Sequence, residues 1–132
     1  MAIQRLTPQG LFKPAIYTQV VTATGRRIIF VSGQVSIDAD NKLVAPGDLA
    51  GQARQVYANL RTALAGAGAG PADVTKLTTY VVGYRPEFRP ILGEARASVF
   101  GSAQPPASTL VGIQALADPG YLVEIEAIAV ID

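Results

Sequence analysis

The sequence contains no cysteine and no histidine. These two absences exclude disulfide bridges, thiol nucleophiles, zinc clusters and imidazole general bases. Any acid–base chemistry must therefore come from carboxylates, tyrosine, lysine or bound water, and we expect no metal site.

Charge is also scarce, since only 16% of the 132 residues are charged whereas 49% are hydrophobic. A typical soluble domain has about 25% charged residues. A chain with so little charge is expected to bury part of its surface between subunits. Its length suits a single domain, residues 1–132, and leaves no room for two ordinary ones.

The net charge of +1 gives no electrostatic reason for nucleic acid or an anionic membrane to bind tightly. The first ten residues, MAIQRLTPQG, lack the apolar core of a signal peptide. No stretch reaches the roughly 18 uninterrupted apolar residues of a membrane helix. We therefore expect a soluble, cytoplasmic protein with no nucleic-acid or membrane partner.

Hydrophobic periodicity predicts five strands and two helices in the order ββαβαββ. Residues 15–23 and 27–37 are rich in β-branched and aromatic types and read as a β-hairpin. Apolar residues at three- and four-residue steps predict the first helix, with Asp48 as its cap and an end within Ala65–Gly70. The other predicted elements are a strand at 76–82, a helix whose apolar stripe runs from Phe88 to Val99, and strands at 107–116 and 121–131.

Two helices cannot cover both faces of such a sheet, so we expect an α+β fold with both helices on one face. In the last strand, Glu124, Glu126, Ile128 and Val130 should point away from that face. Strand 27–37 is apolar on both sides. A second subunit is therefore expected to cover the far face, which suggests a closed ring of subunits with polar groups in the clefts between them.

Glu124 and Glu126 are the strongest candidates for chemistry. They project from one side of an apolar strand, with Cα atoms about 7 Å apart. A sheltered carboxylate there has a raised pKa and can act as a general acid or base. The alternative is a structural pair at a solvated edge, or one bonded to backbone amides or an arginine across an interface.

The other candidates each have a structural alternative. Gly33, within Ser32-Gly33-Gln34, indicates either a bulge or backbone exposed to a ligand. Tyr17 offers a phenol to a ligand, although tyrosines in strands more often pack. For Arg85, Arg89 and Arg96, near or on the polar side of the second helix, a solvated face or intersubunit salt bridges are favoured over an anion site.

Taken together, several segments resemble the RidA family, also called YjgF, over nearly the whole chain. They are Tyr17, FVSGQ at 30–34, QARQVYANL at 52–60, PPASTLVGI at 105–113 and VEIEAIAV at 123–130. The resemblance implies a chorismate-mutase-like α+β fold, assembled as a homotrimer, with small-molecule sites in the clefts between subunits.

The best-known branch of this family hydrolyses reactive enamines and imines to keto acids and ammonia without metal or cofactor. By resemblance, Glu124 would orient the attacking water and the backbone around Ser32 and Gly33 would meet the ligand. Tyr17 would line the cleft from a neighbouring subunit, and Ala107 and Thr109 fall in the substrate-binding segment. An imine carbon is already electrophilic, so a positioned carboxylate and water suffice.

Position 107 departs from the deaminase pattern, because that branch has an arginine there to grip the substrate carboxylate. Ala107 offers no such donors. The asparagine that lines the branch's cleft is also missing, since the matching stretch offers Leu92 or Gly93. We therefore expect a divergent Rid branch whose substrate is not a simple imino acid. The alternatives are a non-catalytic small-molecule binder or chaperone-like protein and, less favoured, an endoribonuclease or translation inhibitor.

Overall fold

The computed structural model describes residues 2–132. It contains two helices and six strands, one strand more than the sequence predicts. The elements are β1 (Ala2–Leu6), β2 (Val20–Thr24), β3 (Arg27–Gln34), α1 (Leu49–Gly66), β4 (Val74–Val82), α2 (Phe88–Phe100), β5 (Ala107–Ile113) and β6 (Val123–Ile131). A single 3-10 turn, Pro71–Asp73, leads into β4.

The strands form a four-stranded sheet in the order β3-β6-β4-β5 and a separate two-stranded ribbon of β1 and β2. The pair β4–β5 is parallel, and the other two pairs of the large sheet are antiparallel. The sheet is therefore mixed, and the expected α+β fold is confirmed. The chain's last strand lies between β3 and β4.

The predicted hairpin between residues 15–23 and 27–37 is wrong. β2 pairs with β1, whereas β3 pairs with β6. Residues 15–19 are not a strand, because Thr18 bonds instead to the turn before β5, its amide to the Pro106 carbonyl at 3.0 Å and its hydroxyl to the Pro105 carbonyl at 2.6 Å. Tyr17 consequently lies in a loop and not in a strand.

One end of each helix is set by a residue that suits the backbone geometry there. The Asp48 side chain accepts a hydrogen bond from the Gly51 amide at 3.1 Å and caps α1, as its position predicts. α2 ends at Gly101, whose φ of 67° lies in the region that favours glycine. The ring of Tyr57 in α1 meets that of Phe100 in α2 edge to face, with centroids 5.1 Å apart.

The hydrophobic core lies between the helices and one face of the sheet. In β6 alternate residues are buried, as the sequence predicts, while those between them are only half-buried. On the opposite, helix-free face, Ile28 and Phe30 of β3 are 62% and 74% exposed. The fully buried core side chains include Val56, Leu60, Leu64, Val74, Val81, Val123 and Ile125.

Gln52 fixes the start of β6. This side chain is fully buried in α1, and its amide group donates to the carbonyls of Gly120 at 2.9 Å and Ala45 at 3.3 Å. Its oxygen accepts from the Leu122 amide at 2.9 Å. A buried amide bonded on both sides holds the chain in one place, two residues before Glu124.

Candidate functional site

The two glutamates of β6 lie together on the helix-free face of the sheet. Tyr80 of β4 is the register partner of Glu124, and Thr78 is the partner of Glu126. The Tyr80 hydroxyl reaches diagonally along the strands and donates a 2.5 Å hydrogen bond to Glu126 Oε1. The pair is therefore not simply solvated: one carboxylate is bound by a phenol, and no side-chain hydrogen bond to Glu124 is found within residues 2–132.

The pKa values of this cluster shift in a consistent direction. Partial burial raises the pKa of Glu124, and the negative charge of Glu126 raises it further. The hydrogen bond to Glu126 raises the pKa of the Tyr80 phenol, so that Tyr80 remains a donor. Glu124 thus holds its proton more readily than an ordinary carboxyl, which suits a group that takes up and returns a proton.

Gly33 lies at a bulge, one of the two roles that the sequence left open, and the other role, backbone exposed to a ligand, stays a prediction. The register between β3 and β6 shifts between Val31 and Gln34, so an extra residue forms a bulge there. A Cβ atom on Gly33 would lie 2.6 Å from the Glu124 Cδ, closer than real side chains come. Only glycine therefore allows the Glu124 carboxylate to rest against the β3 backbone, next to the exposed Ser32.

Ala107 and Thr109 lie on the same face but on β5, two strands away from β6. At strand spacing this separates them from the glutamates by about 10 Å. Thr109 accepts a hydrogen bond from Lys76 Nζ at 2.7 Å, and Ala107 is the register partner of that lysine. The sheet brings Glu124, Ser32 and Gly33 together, whereas Ala107 and Thr109 stand apart from them within one chain.

Tyr17 lines a cavity of about 850 Å³ on the other, helix-bearing side of the sheet. Loop residues Ala15 and Ile16 and the turn residue Pro105 form one wall, and Thr79 and Leu110 of the sheet form the floor. In a single chain this cavity and the Glu124 cluster are on opposite faces. The remaining lining residues are Tyr57, Pro86, Arg89, Pro90, Leu92, Gly93, Arg96 and Ser108.

The three arginines near α2 differ in their surroundings. Arg85 lies over the ring of Phe88, 5.2 Å from its centroid, and does not line the cavity. Arg89 and Arg96 do line it. Arg85 therefore fits the expected solvated face better than Arg89 and Arg96 do.

Sequence reasoning missed Tyr80 and the cavity. Every second residue of the predicted strand, Lys76, Thr78 and Tyr80, lies on the same face. This shared face is the sequence feature from which Tyr80 could have been found. Their neighbour could not be predicted, because placing β4 beside β6 requires the strand order. The cavity gives no sequence signal, since it is assembled from a loop, a turn, two helices and two strands.

Neither helix described here is long and apolar enough to cross a bilayer. Within residues 2–132, no group of three or more acidic side chains is arranged to hold a metal ion.

Known proteins resemble this chain in sequence and fold. The family model described as Endoribonuclease L-PSP matches residues 11–131. The RutC family protein PH0854 of Pyrococcus horikoshii is 34% identical over 113 residues, which cover 86% of this chain and 85% of that protein.

Two solved structures extend the comparison. The protein YyfB of the Rid family, from Yersinia pestis, has a TM-score of 0.92 and 36% identity, covering 99% of this chain and all of that one. Escherichia coli TdcF, solved with bound serine, has a TM-score of 0.69 and 26% identity over 93% of this chain and 92% of its own. The chain therefore belongs to the Rid family, also named YjgF or endoribonuclease L-PSP.

Proposed function

We propose that this protein hydrolyses small reactive enamines or imines to a carbonyl compound and ammonia, with Glu124 activating the water. The observation that carries the proposal is the Glu124 carboxylate itself. It is half-buried, rests against the backbone at Gly33 and has a raised pKa. Such a carboxylate exchanges protons at a pH closer to neutrality than an exposed one.

The reaction needs no nucleophile beyond water. Protonation of an enamine on carbon gives an iminium ion, which is the protonated imine. Glu124 accepts a proton from water while the water oxygen bonds to the iminium carbon, and a neutral carbinolamine forms. Glu124 then returns this proton to nitrogen, the C–N bond breaks, and the hydroxyl proton passes to the departing ammonia, so that the iminium ion plus water gives a carbonyl and ammonium.

Glu126 and Tyr80 act as positioning residues in this proposal. The hydrogen bond from Tyr80 holds the Glu126 carboxylate in place, and its negative charge keeps the pKa of Glu124 raised. Ser32 and Gly33 offer backbone beside the reacting carboxylate.

We further propose that the active form is a homotrimer of single-domain protomers spanning residues 1–132. The support is the exposed apolar surface of Ile28 and Phe30 on the helix-free face, which is costly to leave in water. In such an assembly Tyr17, with the segment carrying Ala107 and Thr109, would approach Glu124 of a neighbouring subunit. The serine in E. coli TdcF supports a small amino-acid-like ligand for the family.

Ala107 distinguishes this chain's substrate from a simple imino acid. No guanidinium stands at that position, and the loss of a bidentate carboxylate contact weakens binding by about tenfold or more. We propose that the substrate is held in another way.

The test generates 2-aminoacrylate and larger imines in situ and measures ammonia and carbonyl release. Glu124→Gln should abolish turnover, whereas Glu94→Gln, which makes the same charge change on an exposed part of α2, should not. Ala107→Arg should increase turnover of 2-aminoacrylate. Full activity of Glu124→Gln on a substrate that the parent hydrolyses would overturn the mechanism.

If no substrate is turned over but a ligand binds saturably, the result would favour a second function, that of a non-catalytic binder that uses the same clefts. The absence of the arginine at position 107 is the observation behind this alternative. Protection of the folded protein against heat by a ligand, with no product formed, would identify it.

An endoribonuclease activity, as in the description of the matched family model, has less support in this chain. The net charge of +1 supplies little attraction for RNA. Incubation with single-stranded RNA at low salt tests it, and we expect no cleavage.

A further inference from the structure

The cavity beside α2 has an apolar body and a cationic side. Ile16, Leu92 and Leu110, with three prolines, supply the apolar lining, while Arg89 and Arg96 supply two positive charges. A volume of about 850 Å³ is at the upper end of the range for pockets that take organic ligands, and exceeds what a three- or four-carbon acid fills.

The two arginines lack the partners that would give them a purely structural role. Neither forms an ion pair with any residue in the described part of the chain. Arg96 is half-buried, its Nε is buried without a hydrogen-bond partner, and its Nη2 makes only a long 3.5 Å contact with the Ala103 carbonyl. The Nε atom has no exposed surface, so an anion in the cavity would bond to the terminal guanidinium nitrogens, whose one hydrogen bond within residues 2–132 is this long contact.

Two further phenols border the same space. Tyr57 is buried under the cavity, and its burial raises the pKa of its phenol to about 12 although the charge of Arg96 opposes the shift. It therefore remains protonated. Tyr17 stands on the loop side. Two guanidinium groups and two phenols line the cavity, and within the described residues no carboxylate lines it.

Gly93 leaves room for a ligand between the arginines. Residues 89, 93 and 96 fall on one face of α2, and two helical turns separate the arginine Cα atoms by about 10 Å along the axis. A Cβ atom added at Gly93 would meet no atom within 4 Å. The helix thus presents bare backbone to the cavity there.

We propose that this cavity binds an organic anion with an apolar body, its carboxylate held by Arg96, with Arg89 at the exposed mouth. This deepens the proposed function by naming the substrate class, and it rests on that function only for the turnover of the bound anion. Recognition of the anion thereby moves from position 107 on β5 to α2. Arg96 presents a planar fork of donors that matches a carboxylate.

Calorimetric titration of the full chain with three stable probes tests the site. 3-Phenylpropanoate has both a carboxylate and an apolar body, 3-phenylpropanamide lacks the charge, and acetate lacks the body. We expect the acid to bind at least about tenfold more tightly than its amide, and acetate not to bind detectably. Equal affinity for the acid and the amide would overturn the proposal.

Variants locate the binding on α2. Arg96→Gln should bring the affinity for the acid down to that for the amide, Arg89→Gln should weaken it several-fold, and Arg85→Gln, which loses the same charge outside the cavity, should leave it unchanged. Gly93→Leu should block binding by filling the space, and since nothing crowds that position the variant should fold. Thermal unfolding verifies that each variant is folded, and unchanged affinity in folded Arg96→Gln or Gly93→Leu would refute the site.

The same variants separate this inference from the proposed hydrolysis. Arginine-dependent binding without turnover of any imine keeps the anion site and rejects the hydrolase. Turnover that Glu124→Gln abolishes, with a KM unaffected by Arg96→Gln, keeps the hydrolase and rejects the anion site.

Discussion

The two faces of the four-stranded sheet are built by the same strands and differ in what they do. In β6, Ile125 and its alternate neighbours face the helices and are inaccessible to water, whereas Glu124 and Glu126 face away beside the exposed Phe30. One face packs into the hydrophobic core, and the other carries the two carboxylates and exposed apolar side chains. A period of two thus divides the core residues from the candidate site residues along a single strand.

The largest effect is expected from a matched pair of truncations in β6, one on each face of the sheet. Ile125→Ala removes a fully buried side chain and should lower the free energy of unfolding by about 2–5 kcal/mol. Ile128→Ala, on the helix-free face, should cost less in dilute solution. Urea unfolding at several protein concentrations measures both, and an Ile128→Ala cost that rises with concentration would show assembly through that face.

Phe30→Glu places a charge in the middle of the apolar helix-free surface. If this surface is the subunit interface, burial of the phenylalanine contributes about 1.5–3 kcal/mol per protomer, and the variant should dissociate. Sedimentation equilibrium gives the oligomeric state. Thr62→Glu, which adds the same charge on the exposed side of α1, is the control. An unchanged oligomer in Phe30→Glu would remove this face from the assembly.

Gly33→Ala tests the contact between the bulge and the acid. The new methyl group would overlap the Glu124 carboxylate, which is the movable end of a flexible side chain, so we expect little change in stability but a displaced carboxylate with little turnover. Gly66→Ala, at the end of α1 where nothing crowds the position, should be neutral or slightly stabilising. Normal turnover in Gly33→Ala would contradict the role of Glu124.

The smallest effect concerns pH. Because the pKa of Glu124 is raised above 4.5 in the folded protein, its ionised form is disfavoured there relative to the unfolded chain. The resulting loss of stability is absent below the unfolded pKa, grows as the pH rises from 4.5 to the folded pKa, and is constant above it.

Glu124→Gln should therefore be as stable as the parent at about pH 4 and slightly more stable at about pH 8. Glu94→Gln, which makes the same charge change on an exposed part of α2, is the control. Urea midpoints across this range measure the difference. A parent that is more stable than Glu124→Gln at the higher pH would mean that the carboxylate has a favourable partner.

Structural features that depend on residues close together in the chain can be predicted from the sequence, whereas features that depend on contacts between distant segments cannot. The alternation in β6 and the cap at Asp48 are local, and both are confirmed. Strand pairing is not local, which is why the sequence pairs residues 15–23 with the wrong strand and extends that strand over residues 15–19. The short strand β1 was missed, because it pairs only with β2 and exposes alternate residues.

The candidate site follows the same rule. Glu124 and Gly33 stand out in the sequence as an acid and a glycine in apolar strands, but their contact depends on the register of β3 against β6. The hydrogen bond from Tyr80 depends on β4 lying beside β6. The arginines of α2 form a charge pattern that does not show which way each side chain points. The packing of α2 against α1 decides this, and it places Arg96 at the cavity.

The position of β6 in the sheet has a consequence for biosynthesis. Because β6 inserts between β3 and β4, a nascent chain on the ribosome cannot close its sheet until residues 123–131 have been synthesised. Glu124 belongs to β6 and is therefore synthesised together with it. A product that terminates before β6 would lack both the central strand and Glu124, so it would not display this carboxylate without the completed fold around it.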